Sequence, residues 1–204
     1  MQNKRQILIN GALILSAGLF LLWLAATPNV TTYQPADQSD SVSQTDVEYA
    51  LPAALPHTIR IPTVGIEADF EAPLGVNPDQ TIAVPDGFDT VGWYQYGPTP
   101  GELGPAVVLG HVDSFAGPAV FFSLGQLDVG DDIFIDRADG STAQFVVTRM
   151  LREAQDNFPT AAVYGDLDYA GLRLITCSGE FIRGEQRYTH NLIVFAKLVP
   201  FSEE

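Results

Sequence analysis

Short apolar and polar alternations recur along the chain from His57 onward and predict an all-β domain. They have the two-residue period of half-buried strands, and Gly, Pro or Asp residues stand between many of them. An Asp-Gly turn at 139–140 lies between two of them and predicts a hairpin. The predicted strands are 58–62, 66–70, 81–85, 90–94, 106–110, 132–137, 143–148, 172–177 and 191–199.

This number of short strands predicts a closed barrel or a sandwich. One or two short helices are expected, in 118–127 and in 158–164. Two of the strands stand out because each leads into a chemically versatile side chain. The apolar run 106–110 precedes His111, and the apolar run 172–176 ends in Cys177, which is followed by small residues. We therefore expect both side chains to project from strand ends, where barrels and sheets build binding sites.

The N-terminal part of the chain has a different pattern. Residues 7–26 are almost wholly apolar and carry no charge, which matches the ~20 residues that a helix needs to cross a bilayer. Lys4 and Arg5 precede this segment and no Lys or Arg follows before Arg60, so residues 1–6 are predicted to be cytoplasmic. A cleaved signal peptide is the alternative interpretation.

Residues 27–55 are polar, contain several prolines and lack apolar periodicity, so they are predicted to form a disordered extracellular stalk. An irregular domain edge would have the same composition. The predicted organisation is thus a single-pass membrane anchor, a stalk, and a domain at 56–204 on the extracellular face.

Charge and cysteine content narrow the possible functions. A net charge of −15 and a pI near 4.3 argue against a nucleic-acid-binding protein. The single cysteine excludes an intramolecular disulfide and a site built from several thiolates. Asp156, Asp166 and Asp168 have no EF-hand spacing, so a solvated acidic face is expected and no metal or cofactor is predicted.

Cys177 is therefore either an inert core thiol or a nucleophile. A nucleophilic cysteine needs a proton shuttle, for which histidine is suited. Of the three histidines, His57 lies at the domain edge and His190 precedes the last strand, so the strand-end position favours His111. Arg183 and Arg187, in the loop after Cys177, are candidates for stabilising an oxyanion.

Several segments resemble the sortase family, particularly its class F (class E/F-like) group. LGHVDS at 109–114 with GPAVF at 117–121 resembles the histidine region, and LITC at 174–177 resembles the end of the TLxTC motif. The resemblance spans about 56–199 and includes CSGEF at 177–181, VGWY at 91–94, PTPG at 98–101 and NLIVFA at 191–196.

The resemblance implies a closed, eight-stranded sortase β-barrel and a cysteine transpeptidase. Such an enzyme cleaves an LPxTG-like sorting signal between Thr and Gly and passes the acyl group to an amine of a cell-wall precursor. It acts as a peptide hydrolase when no amine acceptor is present. Cys177 would be the nucleophile, His111 the general acid, and Thr176 would line the substrate groove.

Two residues depart from the family pattern. Arg173 occupies the first position of TLxTC, and Asn191 falls about where the family arginine is expected. Arg187 is then the predicted catalytic arginine, with Arg183 as a second candidate that would otherwise bind substrate. The alternative for Arg187 is a loop arginine paired with Glu185.

Asp113, two residues after His111, would orient the imidazole or bind substrate, or it would cap a turn. Two other functions fit parts of the sequence. An L,D-transpeptidase also uses Cys, His and Arg, but its cysteine follows an SxG segment, whereas Ser178 and Gly179 here come after Cys177. An anchored binding or adhesion domain would carry Cys177 as a buried thiol without reactivity.

Overall fold

The computed structural model of the chain describes residues 49–200. The predicted anchor at 7–26 and most of the predicted stalk at 27–55 lie outside the described residues. Within 49–200, no helix is long and apolar enough to cross a membrane.

Ten strands and a few single-turn helices make up this region. The strands are β1 (Pro56–Ile61), β2 (Ile66–Asp69), β3 (Gly92–Trp93), β4 (Gly104–Leu109), β5 (Asp113–Ser114), β6 (Gly117–Pro118), β7 (Asp132–Arg137), β8 (Thr142–Ala154), β9 (Ala170–Ile182) and β10 (Arg187–Val199). The helix α1 spans Thr160–Tyr164, and 3₁₀ turns span Pro62–Val64, Phe122–Gln126 and Gln155–Asn157.

Eight of the strands form one curled sheet in the order β2-β1-β7-β8-β10-β9-β4-β3, and β5 and β6 form a separate small hairpin. All pairs in the large sheet are antiparallel except β4 with β9, which run parallel. The predicted all-β fold with eight strands is therefore confirmed, and so is the short helix within 158–164.

Closure of the barrel is not confirmed. Within residues 49–200, the edges of the sheet at β2 and β3 share no continuous ladder. Two isolated parallel bridges join the chain at these edges, Phe70 with Val91 and Leu74 with Tyr94. At the first bridge, Glu71 N donates to Val91 O at 2.9 Å and Val91 N donates to Asp69 O at 3.1 Å. The structure shows a strongly curled sheet whose edges touch at these bridges.

The sheet is buried on both faces around β9 and β10, which explains why these strands have apolar residues at successive positions. On β9, Leu172 and Leu174 pack into the main core inside the curl. The alternate residue Ile175 packs on the outer face with Val163 of α1. Each such side chain contributes about 1.5–3 kcal/mol of transfer free energy when fully buried.

The short helix expected in 118–127 is a 3₁₀ helix at Phe122–Gln126. Two sequence predictions differ from the structure. Segment 81–85 is not a strand, because Ile82 makes only an isolated bridge with Val76. Cys177 does not end its strand, because β10 keeps pairing with β9 beyond it, as far as Arg187 opposite Ile182.

Candidate active site

Cys177 lies on the outer face of β9, at the point where the sheet narrows. It pairs with Asn191 of β10 on one side. On the other side, the parallel strand β4 ends at Leu109, opposite Ile175. The half-buried thiol therefore has a covered flank and an open flank, although it lies inside a strand.

A β-bulge follows the cysteine directly. Ser178 pairs with His190, whereas Phe181 pairs with Tyr188, so β9 has one residue more than β10 in this interval. Gly179 has φ +81°, and a Cβ at this position would lie 2.4 Å from Thr189 Oγ1. The small residues after Cys177 thus mark a bulge, whereas the sequence pattern predicts a strand end.

His111 comes two residues after the end of β4 and is held by its backbone. Gly110 N donates to Ile175 O of β9 at 3.2 Å, and Phe121 N donates to His111 O at 2.9 Å. A Cβ on Gly110 would lie 2.6 Å from the Phe121 ring, so only glycine allows the chain to approach here. His111 is thereby fixed beside the β9 strand that carries Cys177.

The imidazole of His111 has one nitrogen engaged. Nε2 lies 2.8 Å from the carbonyl oxygen of Pro85. Because a carbonyl only accepts hydrogen bonds, this contact assigns the proton of the neutral ring to Nε2 and leaves Nδ1 as the acceptor. The ring of Phe88 packs against the imidazole with a centroid separation of 4.8 Å and an interplanar angle of 45°.

Two clefts open on either side of these residues. The first has a volume of about 740 Å³ and the second of about 820 Å³. His111, Gln155 and Cys177 line both clefts. The first is otherwise bounded by the β5–β6 hairpin and the β9–β10 turn, and the second by aromatic and aliphatic side chains that include Tyr94 and Phe158. A chain passing from one cleft to the other would cross the thiol and the imidazole.

The electrostatic environment keeps the resting thiol protonated. Burial raises the pKa of Cys177, and the negative charge of Asp113 raises it further. Tyr188 donates a short hydrogen bond to Asp113 Oδ2. Burial and this carboxylate together raise the pKa of Tyr188 to about 12. A thiolate would therefore need a cationic partner, and an imidazolium at His111 can supply that charge.

The two predicted arginines line the first cleft without contacting the thiol. Arg187 Nε donates to Glu185 at 2.6 Å, and its Nη1 lies 3.9 Å from Asp156 Oδ1. The contact with Glu185 is the one expected if Arg187 is a loop arginine without a catalytic role. Arg183 is exposed in the β9–β10 turn. Between residues 49 and 200, neither guanidinium forms a hydrogen bond with Cys177.

Two carboxamides lie next to the thiol. Gln155 Nε2 is 4.0 Å from Cys177 Sγ and 3.4 Å from Asn191 Oδ1. Asn191 stands at about the position expected for the family arginine. The sequence does not predict Gln155 as a site residue, because Gln155 belongs to no motif. It reaches the site because it directly follows β8, which pairs with β10.

The other predicted site residues lie at or near these clefts. Asp113 lines the first cleft and Thr176 the second. Thr176 is 4% exposed, its Oγ1 has no hydrogen-bond partner in the described structure, and strand alternation places its side chain opposite Cys177. Its role in substrate binding stays a prediction. Searched over 49–200, the chain has no group of three His, Cys, Asp or Glu residues that could hold a metal ion.

The sortase domain model matches residues 59–199, which is more than half of the chain and includes both His111 and Cys177. This chain belongs to the sortase family. A comparison with curated protein sequences finds no match.

Solved sortase structures share the fold. Sortase C1 of Streptococcus agalactiae, in complex with MTSET, superposes with a TM-score of 0.56 and 21% identity, covering 72% of this chain and 69% of that one. A lid mutant of Corynebacterium diphtheriae sortase A gives a TM-score of 0.56 and 19% identity, covering 74% of each chain. Sortase C-1 of Actinomyces oris gives 0.54 and 20%, covering 71% and 73%. The clefts described above thus lie on a sortase fold.

Proposed function

We propose that this sortase-family chain is a membrane-anchored cysteine transpeptidase of the class F type. It would cleave an LPxTG-like sorting signal between Thr and Gly and transfer the acyl product to an amine of a cell-wall precursor. The observation that carries the proposal is the placement of Cys177 and His111 together at the junction of two clefts. The predicted anchor rests on the apolar segment 7–26, and the predicted extracellular location rests on Lys4 and Arg5 before it.

In the acylation step, the thiolate of Cys177 attacks the Thr carbonyl carbon and forms a C–S bond. The carbonyl oxygen becomes an oxyanion and then re-forms its double bond as the C–N bond to glycine breaks. His111, as an imidazolium, gives its proton to the departing amine. The products of this half-reaction are a thioester on Cys177, a free N-terminal glycine and a neutral imidazole.

Transfer reverses these events with a new amine. The acceptor amine attacks the thioester carbon, loses a proton to His111, and expels the thiolate, which regenerates the thiolate–imidazolium pair. If water attacks in place of the amine, the result is hydrolysis of the peptide. The existence of two clefts at the thiol supports this scheme, because donor and acceptor must each reach Cys177.

Oxyanion stabilisation has candidate donors of two kinds. Arg187 remains the predicted catalytic arginine, and Arg183 is the second candidate. Either guanidinium would have to turn toward Cys177 from its place in the first cleft. Gln155 already has an amide donor 4.0 Å from Sγ. Thr176, Asp113 and Arg183 stay predicted substrate-binding residues.

The proposal is tested with the full-length chain, a quenched LPxTG peptide and triglycine as acceptor. We expect the wild type to form the triglycine-capped fragment, and we expect Cys177→Ala and His111→Ala to lose it. His57→Ala is the matched control, because His57 lies on β1, lines neither cleft and contacts Thr58. Trapping of the acyl group on Cys177 by mass spectrometry would identify the thioester.

Absence of both cleavage and acyl adduct across LPxTG variants would refute the transpeptidase proposal. Inertness of Cys177 toward an alkylating probe in the folded chain would then support a binding domain with a buried thiol.

A further inference from the structure

The connection between β2 and β3 contains a carboxylate that takes three hydrogen bonds from one short segment. Glu71 Oε1 accepts from Asp86 N at 2.8 Å. Its Oε2 accepts from Gly87 N at 3.2 Å and from Thr90 Oγ1 at 2.9 Å. Glu71 itself is tied to the sheet edge through its backbone N–H, which donates to Val91 O. The carboxylate therefore clamps residues 85–90 to the edge of the curled sheet.

The clamped segment is the one that holds the imidazole. It supplies the buried Pro85, whose carbonyl oxygen contacts His111 Nε2, and Phe88, whose ring packs on the imidazole. Phe88 O also accepts a hydrogen bond from Val120 N at 2.8 Å. Val120 precedes Phe121, whose N–H donates to His111 O, so the segment is also bound to the backbone next to His111. Without such anchors an irregular segment of this kind would sample many conformations.

The surroundings of Glu71 also favour its ionised form, which is the form that accepts these hydrogen bonds. Burial opposes ionisation of Glu71, but its hydrogen bonds from Asp86, Thr90 and Gly87, together with the charge of His111, lower its pKa. Glu71 is therefore a carboxylate at neutral pH. Besides this carboxylate, Asp113, Cys177, Arg183, Arg187 and Tyr188 line the first cleft together with His111.

We propose that Glu71 is a positioning residue for His111, acting through the clamped segment 85–90. By holding the Pro85 carbonyl against Nε2, it keeps the Nε2 proton in place and makes Nδ1 the nitrogen that exchanges protons. Nδ1 takes the proton of the Cys177 thiol to form the imidazolium and later gives it to the departing amine. The catalytic part of this inference rests on the proposed function, whereas the tautomer of His111 does not.

The test combines histidine NMR with kinetics on the full-length chain. Labelling with ¹⁵N-histidine reports the tautomer of His111, with His57 and His190 as internal references, whether or not the protein is active. We expect the Nε2–H tautomer in the wild type and a mixture of tautomers in Glu71→Gln. We also expect Glu71→Gln to reduce kcat about tenfold with KM within about twofold. This is less than loss of the general acid itself, which contributes about 10²–10⁴-fold.

Thr90 provides a milder perturbation in case Glu71→Gln fails to fold. Thr90→Val removes one donor to the clamp and should shift the tautomer and kcat in the same direction, and Thr90→Ser should restore both. The matched control is Asp139→Asn, because Asp139 clamps Ser141 in the β7–β8 turn in the same manner and lines neither cleft.

A wild-type tautomer and kcat in folded Glu71→Gln, or in Thr90→Val, would overturn the proposal. The proposal would also be overturned if Asp139→Asn reproduced the changes in tautomer and kcat. If the wild type transferred no peptide, the proposed function would fail, and the NMR comparison would still decide whether Glu71 positions His111.

Discussion

Replacement of Gln155 by leucine separates the two sources of oxyanion stabilisation. Leucine keeps a similar volume at the junction of the clefts and removes the amide donor that lies 4.0 Å from Cys177 Sγ. In the tetrahedral intermediate the oxyanion is attached to the carbon bonded to Sγ, so a donor at this distance from sulfur is within reach of it.

Loss of one oxyanion donor costs about 2.7–4 kcal/mol of transition-state stabilisation, or 10²–10³-fold in kcat. The contact in the resting structure is long, and the same amide is 3.4 Å from Asn191 Oδ1. We therefore expect the lower end for Gln155→Leu, about 10²-fold in kcat with little change in KM.

Single-turnover acylation with the quenched peptide is the appropriate assay, because it isolates formation of the thioester from its transfer. The matched control is Asn157→Leu, an amide in the same 3₁₀ turn that contacts Glu153 and lines neither cleft. The prediction would be refuted if the acylation rate fell less than about threefold in Gln155→Leu but about 10²-fold in Arg187→Ala. The arginine, and not the amide, would then be the donor that stabilises the oxyanion.

Two further predictions concern the replacement of a single carboxylate. Asp113→Asn should lower the pKa of the Cys177 thiol, since it removes the negative charge that adds to the effect of burial. The pH dependence of alkylation of this single cysteine measures it, and an unchanged midpoint would contradict the expectation. Asp136→Asn should reduce the free energy of unfolding by roughly 0.5–1 kcal/mol at pH 7, because Arg60 forms two hydrogen bonds with this half-exposed carboxylate. Arg60 and Thr142 lower the pKa of Asp136, so its contribution is present above the unfolded-state pKa of about 3.9 and is lost as the pH falls through the lower folded value. Urea unfolding at pH 7 and pH 3 tests this sign, and a difference that grew at acid pH would contradict it.

The strands that could be predicted from sequence are those with a clear alternation and a turn at each end. The hairpin of β7 and β8 is one of them, since Gly140 supplies the positive φ of its turn. Segment 81–85 has the same alternation but pairs with no strand, because alternation does not determine whether a partner edge is available.

The site could be predicted from the sequence only at residues whose type itself indicates a catalytic role. Cys177 and His111 were found in this way. Glu71 and Gln155 were not, because an isolated glutamate or glutamine carries no periodic signal and gains its role from contacts with Asp86 and Cys177 that are distant in the chain. Arg173 departs from the family motif, and the structure shows it buried with its guanidinium 4.7 Å from the Phe195 ring centroid.

The position of β10 within the sheet has a consequence for how the domain assembles. This strand is the last of the sheet in chain order, yet it lies between β8 and β9 and pairs with both over most of its length. Until β10 has been synthesised, the two longest preceding strands keep an unpaired edge each, and the hydrogen-bond partner of Cys177 is missing. The sheet therefore cannot be completed before β10 is available. A chain interrupted before residue 187 would leave aggregation-prone strand edges and the Cys177 thiol exposed to solvent.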